Sequence, residues 1–91
     1  MIELIFFSGR NCSVCKVLKP KLFEALKNYT SVKTQIIIAE DDPKITAQHL
    51  VFTLPVVLIL FDHKEYYRFI RSFSVDEVIE KLDKIIAFTQ M

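Results

Sequence analysis

FFSGRNCSVCKVLKP, residues 6–20, is the stretch on which the reading of this chain turns. It opens inside an apolar run, IELIFF at 2–7, crosses the turn residues Ser8-Gly9-Arg10-Asn11, and enters a segment of helical period at Cys12. A short β-rich run closed by turn chemistry reads as a buried strand. Beyond it Cys15, Leu18, Leu22, Ala25 or Leu26, and Tyr29 recur every three or four residues as one apolar face, while Lys16, Lys19, Lys21 and Lys27 occupy the others. Pro20 falls inside this helix, where it deletes a hydrogen bond to the Lys16 carbonyl and is expected to bend the axis. Both cysteines of the chain, Cys12 and Cys15, lie at the helix mouth. Random placement would set two cysteines three apart only about two times in a hundred in so short a chain, so the pair is a signal.

Outward from this stretch the element types alternate. VKTQIIIA (32–39) reads as a second buried strand, and the segment from Asp41 to Leu50 as a short helix with Asp42 as cap and Pro43 in the first helical position. VVLILF (56–61), the polar turn DHKE (62–65) and YYRFI (66–70) form a hairpin with four residues between its strands. Ser74 with Glu77 is a capping box opening a last helix. Its apolar stripe is Val75, Val78, Ile79, Leu82, Ile85 and Ile86, with Glu77–Lys81 and Glu80–Lys84 as supporting pairs. The order βαβαββα implies an α/β fold: a parallel first pair of strands, an antiparallel closing hairpin, and helices on both faces of a four-stranded mixed sheet.

Composition bounds the function classes. Residues 1–91 are read as one domain whose core is well supplied, since the chain has eight Phe and a single Gly, Gly9. A formal charge of +1 offers little to a phosphate backbone, so nucleic acid is not expected as a partner. The longest apolar run, residues 56–61, is far too short to span a bilayer, and Glu3 stands where a signal peptide would be basic. The chain is accordingly read as a soluble, cytoplasmic monomer without a membrane contact.

Cys12-Ser13-Val14-Cys15 at a helix start, Lys16 directly after it, Pro20 five residues beyond the second cysteine, and Leu54-Pro55 at the entry to the third strand together resemble the thioredoxin superfamily, in the trimmed form of glutaredoxins and the smallest thioredoxin-like proteins. The resemblance spans essentially the whole chain. It implies a thioredoxin-like fold and thiol–disulfide exchange with protein substrates, recharged by a reductase, with the Cys12–Cys15 pair as the redox centre and no other cofactor. It also implies a cis peptide bond before Pro55, facing the cysteines, and substrate contacts from Asn11, Ser13, Val14, Thr53 and Leu54. Thr53-Leu54-Pro55 is similar to the Thr-Val-Pro of glutaredoxins, which makes glutathione the alternative thiol partner. The paired glycines that glutaredoxins carry before the last helix are replaced by Arg71-Ser72-Phe73. The chain departs from thioredoxins too, with Asn11 for the tryptophan before the first cysteine, Ser-Val for Gly-Pro, and Phe6 for the buried acid.

The chemistry of the pair can be reasoned from its placement. Cβ atoms three apart at a helix start lie about 5 to 6 Å apart and a disulfide wants about 3.5 to 4.5 Å, so a small tightening closes the bond. A bridge closing so small a loop removes little chain entropy, which argues for turnover over scaffolding. Cys12, at the helix N-terminus with Arg10 and Lys16 close in sequence as pKa-tuning charges, is the expected nucleophile. Cys15, a turn further in on the apolar face, is the expected resolving thiol. Three other readings stand beside this one: a metal site joining the cysteines to His49 and His63, a purely structural pair, and a thioredoxin-fold binding module without turnover. Phe7, Val14 and Phe52 are assigned either to the core or to the rim of an apolar groove.

Overall fold

The two most apolar runs lie in the middle of the sheet, because only interior strands have both edges paired and both faces covered. The computed structural model describes residues 1–90. It shows β1 (Ile2–Ser8), α1 (Ser13–Ala25), a 3-10 turn at Leu26–Asn28, β2 (Val32–Ile38), α2 (Pro43–Gln48), β3 (Val56–Phe61), β4 (Lys64–Ile70) and α3 (Val75–Thr89). Spatial order is β2-β1-β3-β4. β1 runs parallel to β2 and antiparallel to β3, and β3 runs antiparallel to β4. The edge strands β2 and β4 carry the polar residues Lys33, Gln35, Lys64 and Glu65, which discourage further pairing.

Strand alternation divides the core into two layers. Leu4 and Phe6 of β1 share one face with Val57 and Ile59 of β3, the direct partners being Leu4↔Ile59 and Phe6↔Val57. There they pack with Cys15, Leu18 and Leu22 of α1 and Val78, Leu82 and Ile85 of α3. Ile5, Phe7, Val56, Leu58 and Leu60 line the other face with Ile37 and Val51. The chain leaving α2 lies over that second layer, where the His49 ring meets Phe7 at 5.6 Å between centroids. Phe7, fully buried, is therefore core, while Phe52 at 80% and Val14 at 54% exposure belong to the surface.

Several local expectations are corrected. The hairpin turn has two residues, Asp62 and His63, in place of four; both have positive φ (50° and 67°), which marks the type I′ turn whose twist suits paired strands. A register shift between Ile59 and Leu60 absorbs the extra residue. Asp42 is the N-cap of α2 and Pro43 its first residue, as expected, but the Asp42 side chain makes no capping bond, and the Asp42 carbonyl accepts from Thr46 Oγ1 at 2.8 Å. α1 runs unbroken through Pro20 but tightens into the 3-10 turn before Tyr29, whose hydroxyl donates to Asp83 on α3 at 2.8 Å. On α3 the Ser74 hydroxyl caps the Glu77 N–H at 3.2 Å and Glu80 pairs with Lys84 at 3.9 Å. Lys81 lies 3.8 Å from Glu80 and over the Tyr67 ring instead of pairing with Glu77.

Candidate active site

The site begins where β1 runs out. Gly9 follows Ser8, and a Cβ built on it would lie 2.7 Å from Leu54 Cδ1, so the only glycine of the chain stands where the Leu54 side chain leaves no room for another. The next residue is held from the β2–α2 turn. Its backbone N–H donates to both oxygens of the Glu40 carboxylate, at 3.2 and 3.4 Å, and the Arg10 guanidinium donates to Asp41. Arg10 thus shares its charge with an aspartate, which weakens its pull on a sulfur nearby.

Cys12 is the N-cap of α1, one residue outside the helix that the sequence periodicity started on it. Its backbone is extended (φ −99°, ψ 100°) and its sulfur accepts from the Cys15 N–H at 3.2 Å, in the position where a Ser or Asp oxygen caps other helices. In the reduced protein the same geometry favours a thiolate, by a charge-assisted hydrogen bond and by the positive end of the helix dipole. Cys15 is 1% exposed and belongs to the α1–α3 core layer with Phe6, which is fully buried. Burial of this kind disfavours the charged form of a thiol. The two sulfurs are joined in a disulfide with Cα atoms 5.2 Å apart, a separation natural to residues three apart on a helix, so one backbone serves both redox states.

Asn11, Ser13, Val14, Lys16 and Thr53 are exposed, and Leu54 is half-buried against both core layers. Pro55 is buried, and the Leu54–Pro55 peptide bond is cis. Among the described residues, no group of three or more His, Cys, Asp or Glu is placed to hold a metal ion, and no helix is long and apolar enough to cross a membrane. His49 is engaged with Phe7, and His63 lies in the hairpin turn, 3.5 Å from Glu3.

Arg71, noted in the sequence only as a replacement for glycine, has a backbone role beside Pro55. Its backbone N–H donates to the Pro55 carbonyl at 2.9 Å, which brings the end of β4 beside the proline, and its φ of 57° is one a side chain rarely adopts. The missing glycines before the last helix pointed only to a lost glutathione site. The structure shows that an arginine takes the left-handed conformation there.

A cysteine pair at a helix mouth, one sulfur capping the helix and the other sunk in the core, on a four-stranded mixed sheet whose third strand is entered through a cis proline, is the arrangement of a thiol–disulfide oxidoreductase. No protein-family profile matches the chain. It is 30% identical over 83 residues to the thioredoxin-like protein YdfQ of Bacillus subtilis (strain 168), covering 91% of this chain and 74% of the relative. The structure of thioredoxin 1 from the thermophilic eubacterium Thermosipho africanus TCF52B superposes with a TM-score of 0.90 at 35% identity, over 98% of this chain and 99% of that one. Thioredoxin NaTrxh from Nicotiana alata, at 24% identity and a TM-score of 0.85 over 91% of this chain and 71% of that one, shares the fold. The chain belongs to the thioredoxin-like proteins.

Proposed function

We propose that the protein is a protein-disulfide reductase of the cytoplasm, acting as a monomer with Cys12 as nucleophile and Cys15 as resolving thiol. The observation that carries this reading is the asymmetry of the pair: a half-buried cysteine at the N-cap, its sulfur bonded to a backbone N–H, and a partner fully buried one turn away. Attack by the Cys12 thiolate on a substrate disulfide forms a mixed disulfide and releases one substrate sulfur, which takes up a proton. Cys15, deprotonated, then attacks Cys12 Sγ, releasing the second substrate thiol and closing the Cys12–Cys15 bond. Two electrons and two protons pass from the dithiol to the substrate, and a separate reductase returns them. Asn11, Ser13, Val14, Thr53 and Leu54 supply the surface against which the substrate backbone lies, with Pro55 fixing the loop beneath.

Reduction of the interchain disulfides of insulin with dithiothreitol as electron source tests this. The protein is expected to accelerate it, and Cys12→Ala to abolish the acceleration. Activity confined to glutathione mixed disulfides would replace the protein substrate with glutathione. Activity on neither, with peptide binding retained, would make the domain a binding module.

A further inference from the structure

β1 and β2 are parallel neighbours, so the turns that leave their C-terminal ends emerge side by side. The pairing continues past Ser8 and Ile38, where the Ala39 N–H donates to the Ser8 carbonyl at 2.9 Å. The chain then turns tightly, with the Asp41 and Asp42 N–H groups both on the Ile38 carbonyl at 3.0 and 3.1 Å. Glu40 and Asp41 are thus carried on a fixed turn beside the segment from Gly9 to Cys12. That segment is a turn of its own, closed by the Cys12 N–H on the Gly9 carbonyl at 3.4 Å, and it delivers Cys12 to the N-cap of α1. Glu40 grips it from outside. Its two oxygens accept the Arg10 N–H at 3.2 and 3.4 Å, and each would lie 3.5 Å from a Cβ on Gly9, so the carboxylate covers the first two residues of the turn. Among the described residues these oxygens are the only partners of the Arg10 N–H. An exposed carboxylate gains little from charge pairing, but a backbone N–H held by it fixes a turn that a single 3.4 Å bond closes only weakly.

We propose, resting on Cys12 as the attacking sulfur, that Glu40 is a positioning residue for the exchange reaction: by holding the Arg10 N–H it keeps the Gly9–Cys12 turn in the form that sets Cys12 Sγ on the Cys15 N–H. Glu40 acts on the sulfur in two opposed ways. Its negative charge disfavours a thiolate, while the turn it holds favours one through the N-cap hydrogen bond and the helix dipole. The charge is exposed and screened by solvent and salt, whereas the geometry of the turn is not, so the positioning effect prevails. The other charged side chains bordering the helix mouth are Arg10 and Lys16 in the same segment, Asp41 paired with Arg10, and Asp76 at the start of α3, which lines an open cavity with Ser13. Among the described residues none of these side chains accepts a backbone N–H of the turn.

The test reads the ionisation of Cys12 in reduced Cys15→Ser protein, where it is the single thiol, from the pH dependence of its alkylation by iodoacetamide at about 0.1 M salt. Glu40→Ala removes grip and charge together, and the Cys12 pKa is expected to rise toward the free-thiol value of about 8.5, by about half a unit. Glu40→Gln keeps an acceptor oxygen and loses only the charge, so it should leave the value unchanged or lower it. Asp41→Asn removes the neighbouring charge without touching the backbone bond and gives the sign of charge loss alone, a fall. Hydrogen exchange supplies a second readout that does not depend on the Ala variant: the Arg10 amide should be protected in the Cys15→Ser protein and stay protected in Glu40→Gln. A fall or no change in Glu40→Ala, a rise in Glu40→Gln equal to that in Glu40→Ala, or an unprotected Arg10 amide would overturn the proposal and leave the exchange reaction standing. A Cys12 that titrates at or above about 8.5 with Glu40 in place would remove the reading of Cys12 as the attacking sulfur, and the proposal with it.

Discussion

Cys12 and Cys15 differ by three positions in sequence and by one turn of helix in space, and that turn separates two electrostatic environments. Cys12 Sγ sits where α1 begins and accepts a backbone N–H; Cys15 sits beneath it against fully buried Phe6. In the reduced protein Cys12 is predicted to titrate below the free-thiol value of about 8.5 and Cys15 above it. Thiolate absorbance of the Cys12→Ser and Cys15→Ser variants measures both, and a more acidic Cys15 would reverse the assignment. The inner shell around Cys15 has its own consequence. The buried polar side chains among the described residues are Ser8 and Thr46, with no carboxylate, and Phe6, where the resemblance to thioredoxins implies an acid, is fully buried. Resolution of the mixed disulfide should therefore rise with pH along the deprotonation of Cys15 alone, without a carboxylate limb. Phe6→Asp should add such a limb while costing several kcal/mol for the lost aromatic and the buried acid. Single-turnover decay of the mixed disulfide over about pH 5 to 9 separates the two profiles.

At the scale of elements, the scarcity of glycine explains which turns were legible. With Gly9 committed to the contact with Leu54, the left-handed positions fall to Leu50, Asp62, His63 and Arg71. A reading that looks for glycine at such positions misses them. It placed the hairpin turn over four residues, and it ran α2 on toward Leu50. In fact α2 ends in a Schellman motif: Leu50 N–H donates to the Ala47 carbonyl at 2.9 Å and Val51 N–H to the Thr46 carbonyl at 3.1 Å. Leu50→Gly and His63→Gly should each stabilise the protein by about 1 kcal/mol, read as a raised denaturation midpoint, because both side chains are exposed and both backbones already hold the conformation glycine prefers. The end of α2 is also tied to β4. Arg68 donates to the His49 and Leu50 carbonyls at 2.6 and 3.1 Å and, through Nε and NH2, to both Glu65 oxygens at 2.9 Å. The hydrogen bond from Arg68 is the main reason that the Glu65 carboxyl titrates below its ordinary value of 4.5, desolvation opposing it. A depressed folded value means that the pair contributes stability above pH 4.5 and that this contribution is lost as pH falls through the lower folded value. Glu65→Gln should flatten the acid limb of urea stability in that window. The effect is small, because Glu65 is partly exposed and screened.

For the whole molecule, the element order and the mixed sheet with helices on both faces were legible because the strands IELIFF and VVLILF are short, continuous apolar runs and the helices carry a period near 3.6 from Cys15 to Leu22 and from Val78 to Ile85. Cys12 and Cys15 were legible because their spacing carries chemistry. Long-range partnerships were not. The Glu40 and Asp41 hold on Arg10 and the Arg71 bond to Pro55 each join elements distant in sequence, and no local pattern encodes them. The central claim is a division of labour between the two sulfurs, and trapping tests it most directly. Reduced Cys15→Ser and Cys12→Ser proteins are mixed with oxidised insulin and separated without reductant. Cys15→Ser should accumulate a covalent adduct that dithiothreitol releases, because Cys12 can attack and nothing can resolve, while Cys12→Ser should accumulate none. Equal trapping by the two variants, or trapping by Cys12→Ser alone, would contradict the account.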